Sequence, residues 1–231
     1  MRPFPLMLFA AGFGTRMREL TATRPKPLVP VLGETLLDRA LNLAEDAACA
    51  PVVVNVHYLG GQIIDHLAGR PGVQISDERA AILDTGGGLR AALPMLGPGP
   101  VMTLNPDAVW RGPNPLSLLA KAWEGDRMDA LLLVKDRAQV RGRSGKADFR
   151  LDAEGRITRA VDETGSLYLG AQILRTDTLS AMTEPVFSLN RLWNRMIAEG
   201  RAYALPYAGD WCDVGSPEGL AEAEAMLREG G

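Results

Sequence analysis

Residues 7–31 read MLFAAGFGTRMRELTATRPKPLVPV. The apolar run at residues 5–11 has the character of a strand buried inside a sheet. It breaks into Gly12-Phe13-Gly14-Thr15-Arg16, and a polar loop then leads to Pro25-Lys26-Pro27. Gly12 and Gly14 have no Cβ, so backbone N–H groups can approach a ligand closely. Successive N–H groups in such a loop make a concavity for anions. Arg16 adds a planar guanidinium suited to bidentate phosphate contact, and Lys26 adds a point charge. The two prolines stiffen the backbone around Lys26. A cation on a rigid turn beside a glycine loop predicts a polyphosphate site. Two other phosphate motifs are excluded. No Gly-Lys-Ser/Thr follows a spaced glycine, and the dinucleotide fingerprint fails at its third glycine, where Met17 stands.

Outward from this loop, strand and helix patterns alternate. The spacing predicts helices over residues 36–47, 60–68, 88–96 and 114–123. It predicts strands over 52–56, 73–76, 100–104 and 130–134. Such alternation means crossover connections and a mostly parallel sheet, with ligands at the carboxyl ends of the strands. The fold class expected is a doubly wound, Rossmann-like α/β sheet with a small β-hairpin portion. The hairpin is read at 148–151 and 156–161. A strand follows at 167–174, a helix at 188–199 stopped by Gly200, and a strand at 203–207. A last helix opens with Ser216 as N-cap and Pro217 at the first position, and Leu220, Ala223 and Leu227 are its expected core stripe. The basic loop 137–146 has no periodicity and is expected to be mobile. One domain is expected, with residues 1–135 as a nucleotide half and 136–231 as a sugar half.

Composition narrows the function. At 231 residues with 46% hydrophobic content the chain can bury a real core. A net charge of −3 argues against nucleic acid or an anionic membrane as the main partner. The two cysteines, Cys49 and Cys212, make no disulfide framework, and no secretory leader or apolar run of about 18 residues is seen. A cytoplasmic protein is therefore expected. His57 and His66 lack metal-ligand spacing and read as structural or surface residues.

Three further motifs complete the pattern: Asp84-Thr85-Gly86-Gly87-Gly88, Asn105-Pro106-Asp107, and Trp211-Cys212-Asp213-Val214-Gly215-Ser216-Pro217. With the glycine loop, they run in the order seen in sugar-phosphate nucleotidyltransferases, and residues 10–33, 83–89, 105–107 and 211–217 resemble that family's signatures. The resemblance implies a nucleoside triphosphate over Ala10, Ala11, Gly12, Gly14, Thr15, Arg16 and Lys26. Gly86 and Gly87 would form a backbone wall against the nucleobase, with Thr85 and Glu78 beside them. Arg16, Lys26 and Asp107 would be catalytic, with Arg16 on the β- and γ-phosphates. Asp107 and Asp213 would hold Mg²⁺. The family's residue before the aspartate is usually glycine, and Pro106 removes the amide it would offer. Asn105, Asp162, Glu163 and Gly170 fall where the family binds its sugar, although the charged pair matches only partly and reads equally as a solvated hairpin end. Arg141 and Arg143 are candidates for the carboxylate of an acidic sugar.

Within the family, the short length and the compact end after Trp211 most resemble the branch that uridylylates N-acetylmuramate 1-phosphate in peptidoglycan recycling. The partners implied are UTP and that sugar 1-phosphate. Two alternatives stay open. One is another sugar 1-phosphate (glucose, mannose or N-acetylglucosamine) with UTP, dTTP or GTP. The other, suggested by Pro106, is a silent nucleotide-sugar binding protein. Oligomeric state is not readable.

Overall fold

A computed structural model describes residues 3–140 and 145–229. The chain begins with β1 (Leu6–Phe9), then winds as 3-10 turns over Thr15–Thr21 and Lys26–Leu28. A two-residue ladder, β2 (Pro30–Val31) with β3 (Glu34–Thr35), leads into α1 (Leu36–Asp46). The Thr35 side chain caps α1 by accepting from the Asp38 amide. There follow β4 (Val52–Val56), α2 (Gly60–Leu67), β5 (Val73–Asp77), α3 (Asp84–Leu96) and β6 (Val101–Leu104). Next come β7 (Ala108–Arg111), α4 (Pro115–Ala122) and β8 (Ala130–Asp136). The hairpin is β9 (Phe149–Leu151) with β10 (Ile157–Arg159). The chain closes with β11 (Ser166–Leu174), α5 (Asn190–Ala198), β12 (Ala202–Pro206), β13 (Asp210–Asp213) and α6 (Pro217–Arg228).

Among the described residues, nine strands form one sheet, with the path β10-β9-β11-β6-β1-β4-β5 and β8 joining β11 to β12. The pairs β1–β4, β1–β6, β4–β5 and β8–β12 are parallel. Strand β11 runs against β6 and β8, so β1, β4, β5, β6, β8 and β12 all point one way. This is the doubly wound, mostly parallel arrangement that the alternating pattern predicts. Alternate side chains of the strands serve opposite faces. Leu6, Leu8, Val52 and Val54 pack with Leu37 and Leu41 of α1, Ile63 of α2 and Leu116 of α4. Met7 and Val53 pack on the other face, with Leu89 of α3 and Leu192 and Trp193 of α5. Both faces are thus covered by helices, and this is why β1 and β4 are apolar throughout except at Asn55.

Three features depart from the expectations. Helix α3 starts at Asp84 rather than residue 88, so Gly86, Gly87 and Gly88 lie inside it. Strands β7 and β13, which periodicity did not signal, form an antiparallel ladder that carries Asp213. The buried line of α6 is Gly219, Ala223 and Met226, while Leu220 and Leu227 are only partly buried. Gly219 sits there because a Cβ would meet the Asp213 carbonyl, so the helix presses its smallest residue onto the ladder. A third cluster, with Met17, Val29, Val31, Val109, Cys212 and Met226, fastens α6 and the ladder to the loop region after β1.

Candidate active site

The carboxyl ends of β1, β4, β5 and β6 open into one cleft of about 250 Å³. Phe9, Ala10, Ala11 and Gly12 line one wall, and Lys26 and Pro27 lie beside them. Asn105, Pro106 and Asp107 line another. Asn55, Glu78, Ile82, Asp84 and Thr85 close the far end. Of the residues expected at the nucleotide, Ala10, Ala11, Gly12, Lys26, Glu78 and Thr85 line this cleft.

Local chemistry places each group. Gly14 has φ +65°, and a Cβ there would lie 2.9 Å from Cβ of Lys26, so only glycine suits both the backbone and the space. The Gly14 carbonyl accepts from the Met17 amide at 2.9 Å and the Thr21 hydroxyl at 3.0 Å, which folds the segment back on itself. Lys26 is buried, and its Nζ donates to Asp107 Oδ2 at 2.7 Å. Asp107 follows β6 at the turn into β7. The β7–β13 register sets Asp213 opposite Ala108, and the Val214 amide donates to the Asp107 carbonyl at 2.9 Å. The ladder therefore brings together two aspartates that are remote in sequence. Asp213 is largely buried, and Arg16 Nη1 stands 3.8 Å from its Oδ2. A Cβ on Gly215 would lie 2.7 Å from Asp213 Oδ2 and 2.8 Å from Arg16 Nη2, so this glycine leaves room for the pair. Each expected cation thus faces one expected carboxylate: Lys26 faces Asp107, and Arg16 faces Asp213.

Other expectations land elsewhere. Gly14, Thr15, Arg16 and Asp213 are outside the cleft lining, and Arg16 keeps 69% of its side chain exposed. Gly86 and Gly87 are not among the residues that line the cleft. Their amides both donate to the Phe187 carbonyl, at 2.9 and 3.1 Å, and added Cβ atoms would run into the Phe187 ring and the Pro185 carbonyl. Their absent side chains serve packing against residues 185–187. Asn105 and Gly170 do meet: the Asn105 amide donates to the Gly170 carbonyl at 2.8 Å, and Gly170, at φ +90°, lies against the Asn105 side chain. Strand β11 begins five residues before the Ala171 that pairs with Leu104, so it stands above the end of β6 as a side wall. Asp162 lies at an exposed hairpin end, where the Thr164 hydroxyl and amide and then Arg150, at 2.6 Å, hold its carboxyl down to about 2. Glu163 lines a different cavity with Asp136, Arg137 and Thr164. Arg141 and Arg143 lie outside the described residues. The Arg137 Nε donates to the Gly145 carbonyl at 2.7 Å.

The sequence reading missed Asn55 and Asp84. Asn55 is the single amide in the run Val52–Val56, and a lone polar side chain in a strand buried on both faces needs partners. Asp84 takes φ +58°, a left-handed backbone at the far end of the cleft. Glu78 is 3% exposed, and burial pushes its carboxyl up from the ordinary value. The histidines serve as structure: His57 Nδ1 lies 2.7 Å from the Glu78 carbonyl oxygen and His66 pairs with Asp38. Cys212 is buried, and burial raises the Cys49 thiol to about 11. Among the described residues, no helix is long and apolar enough to cross a membrane.

Residues 6–206 match the MobA-like NTP transferase domain. The chain belongs to that family. It is 38% identical to an N-acetylmuramate α-1-phosphate uridylyltransferase of Caulobacter vibrioides, over 96% of each chain. It is 30% identical to the protein of the same name from Neisseria meningitidis serogroup B, over 95% of this chain and 96% of that one. Among solved structures, a UDP-glucose pyrophosphorylase complexed with UDP-glucose superposes with a TM-score of 0.78 at 16% identity, covering 100% of both chains, which shows the shared fold. As a member of this family the chain is a sugar-1-phosphate nucleotidyltransferase.

Proposed function

We propose that this nucleotidyltransferase moves a uridylyl group from UTP to N-acetylmuramate α-1-phosphate and releases pyrophosphate. Near-full-length similarity to two proteins of that named activity carries the choice of substrates. A phosphate oxygen of the sugar 1-phosphate attacks the α-phosphorus of UTP. The bond from the α-phosphorus to the bridging oxygen breaks, and that oxygen leaves with pyrophosphate. Such a step needs positioning and charge neutralisation more than proton transfer.

The residues divide this work. The loop from Ala10 to Arg16 receives the triphosphate, with Gly12 open to it on the cleft wall. Lys26 turns from Asp107 to the reacting phosphates, and Arg16 turns from Asp213 to the leaving pyrophosphate. The carboxylates so released fit a hard divalent cation, since Mg²⁺ takes one or two carboxylates together with substrate phosphates. Bound there, Mg²⁺ would supply the positive charge that offsets the attacking and leaving oxygens. Asn105 and Gly170 face the sugar from the side wall, within the division into a nucleotide half at 1–135 and a sugar half at 136–231.

The test is pyrophosphate release with Mg²⁺, UTP and a panel of sugar 1-phosphates. N-acetylmuramate 1-phosphate should give the highest kcat/KM. Equal rates with N-acetylglucosamine 1-phosphate would remove the sugar assignment, and no release with any sugar would leave a nucleotide-sugar binding protein.

A further inference from the structure

Asn55 is 3% exposed, sits at the cleft end of β4, and uses both ends of its amide. Its Oδ1 accepts from the Ala10 amide at 2.7 Å, and its Nδ2 donates to Glu78 Oε1 at 2.8 Å. An N–H cannot accept a hydrogen bond, so Ala10 fixes which way the Asn55 amide points. Only its NH₂ can face Glu78. The other carboxylate oxygen, Oε2, accepts from the Leu83 amide at 3.3 Å. Two donors therefore converge on one side chain, one on each oxygen. A carboxylate accepts at both oxygens. A glutamine has one acceptor end and could satisfy only one of them. Glu78 is thus held as an acceptor although burial disfavours its charge. Gly88 makes room for the arrangement, because a Cβ there would lie 2.6 Å from Glu78 Oε1 and 3.1 Å from Asn55 Nδ2. The third glycine of the run therefore serves this pair, whereas Gly86 and Gly87 serve Phe187 and Pro185. Ala10, Asn55 and Glu78 all line the cleft, so the start of the phosphate loop is tied by hydrogen bonds to a carboxylate at the far end.

We propose that Asn55 is a positioning residue for nucleotide selection: it fixes Glu78 as an acceptor-only contact, so the cleft takes a base that turns an N–H toward Glu78. This rests on the nucleotidyl-transfer reading. A uracil ring offers such a donor at N3, and a base placed with only a lone pair turned toward Glu78 would be repelled.

The experiment exchanges the polarity of the pair. Asn55→Asp sets two acceptors against each other, and Glu78→Gln leaves one of two donors unmatched. The double variant restores every bond: the carboxylate introduced at position 55 accepts from Ala10 and from the new amide NH₂ at position 78, whose carbonyl accepts from Leu83. Each single variant should lower kcat/KM for UTP by about 10- to 100-fold through KM for UTP, with KM for the sugar 1-phosphate within about twofold. The double variant should recover at least about tenfold over either single one. Wild type should also bind N3-methyl-UTP, which lacks the N–H, at least about tenfold more weakly than UTP in calorimetry. Melting temperatures are taken for all variants, and if Asn55→Asp does not fold, Glu78→Gln against the double variant makes the same comparison. A double variant that melts like wild type yet is no better than the singles would overturn the proposal. So would singles that lower all substrate parameters alike, or N3-methyl-UTP bound as tightly as UTP. Calorimetry needs no turnover, so a protein that binds UTP by these rules but transfers nothing would refute the function and keep this inference.

Discussion

At the residue scale, the central observation is that the cations and carboxylates expected to act on substrate are paired with one another: Lys26 with Asp107 at 2.7 Å and Arg16 with Asp213 at 3.8 Å. Lys26 is the more consequential cation because it is buried, whereas Arg16 is mostly exposed, and a partly buried carboxylate–ammonium contact is screened less than one at the surface. Lys26→Ala should reduce kcat by about 100-fold, equivalent to ~3 kcal/mol of transition-state stabilisation, with a smaller effect on UTP binding. The same variant should tighten Mn²⁺ binding to the nucleotide-free protein, measured by electron paramagnetic resonance, because Asp107 no longer has a competing cation. Unchanged Mn²⁺ affinity would remove Asp107 from the metal site. Glu78 allows a test by pH. Its carboxyl is raised by burial, so folding disfavours its charged form. That penalty is absent below the ordinary glutamate range, where both states are protonated. It grows as pH rises toward the raised value and is complete above it. Against wild type, Glu78→Gln should therefore melt relatively higher as pH rises from about 4 upward. A constant difference across that window would contradict the shift.

At the element scale, α3 shows how a motif can have two uses. Asp84-Thr85-Gly86-Gly87-Gly88 reads in sequence as a glycine wall for a nucleobase, just ahead of a helix over 88–96. In the fold it is the first turns of a helix, wedged between Phe187 and Pro185 on one side and Glu78 on the other. Helix glycine is normally unfavourable by about 0.5–1 kcal/mol against alanine, and close approach overrides that here. Gly86→Ala should destabilise the protein by about 1–3 kcal/mol in denaturant titration, since its Cβ would meet the Phe187 ring. Adding Phe187→Ala should recover part of that loss. If Gly86→Ala kept wild-type stability and lost only UTP affinity, the glycine would belong to the base after all. The β7–β13 ladder carries a similar lesson. Trp211 Nε1 donates to the Leu169 carbonyl at 3.0 Å, and Lys135 Nζ donates to the Gly209 carbonyl at 2.7 Å. These bonds hold the ladder against β8 and β11, and so hold Asp213 beside Asp107.

At the scale of the whole molecule, the cleft is assembled from loops that leave one edge of one sheet. A ligand that touches the loops after β1, β4, β5 and β6 at once binds only the folded chain. Saturating UTP, at about 100 times its Kd, should therefore stabilise the protein by about 2.7 kcal/mol, read as a rise in midpoint in a thermal or denaturant scan. No shift would mean that this cleft is not the nucleotide site. The amino-acid sequence by itself determined the doubly wound class, because hydrophobic period reports burial locally, and β4 was readable to the residue. It also carried the Gly12–Lys26 loop and the Trp211–Pro217 stretch, whose glycines and prolines constrain the backbone wherever they occur. Tertiary structure alone decided that Lys26 reaches Asp107, that an unsignalled ladder sets Asp213 beside it, and that Gly86 and Gly87 yield to Phe187 and Pro185. The same holds for Asn55, whose partners Ala10 and Glu78 lie 45 and 23 residues away. The physical reason is range: propensity and periodicity act over a few residues, whereas a hydrogen bond or a steric limit depends on which distant segment packing brings alongside.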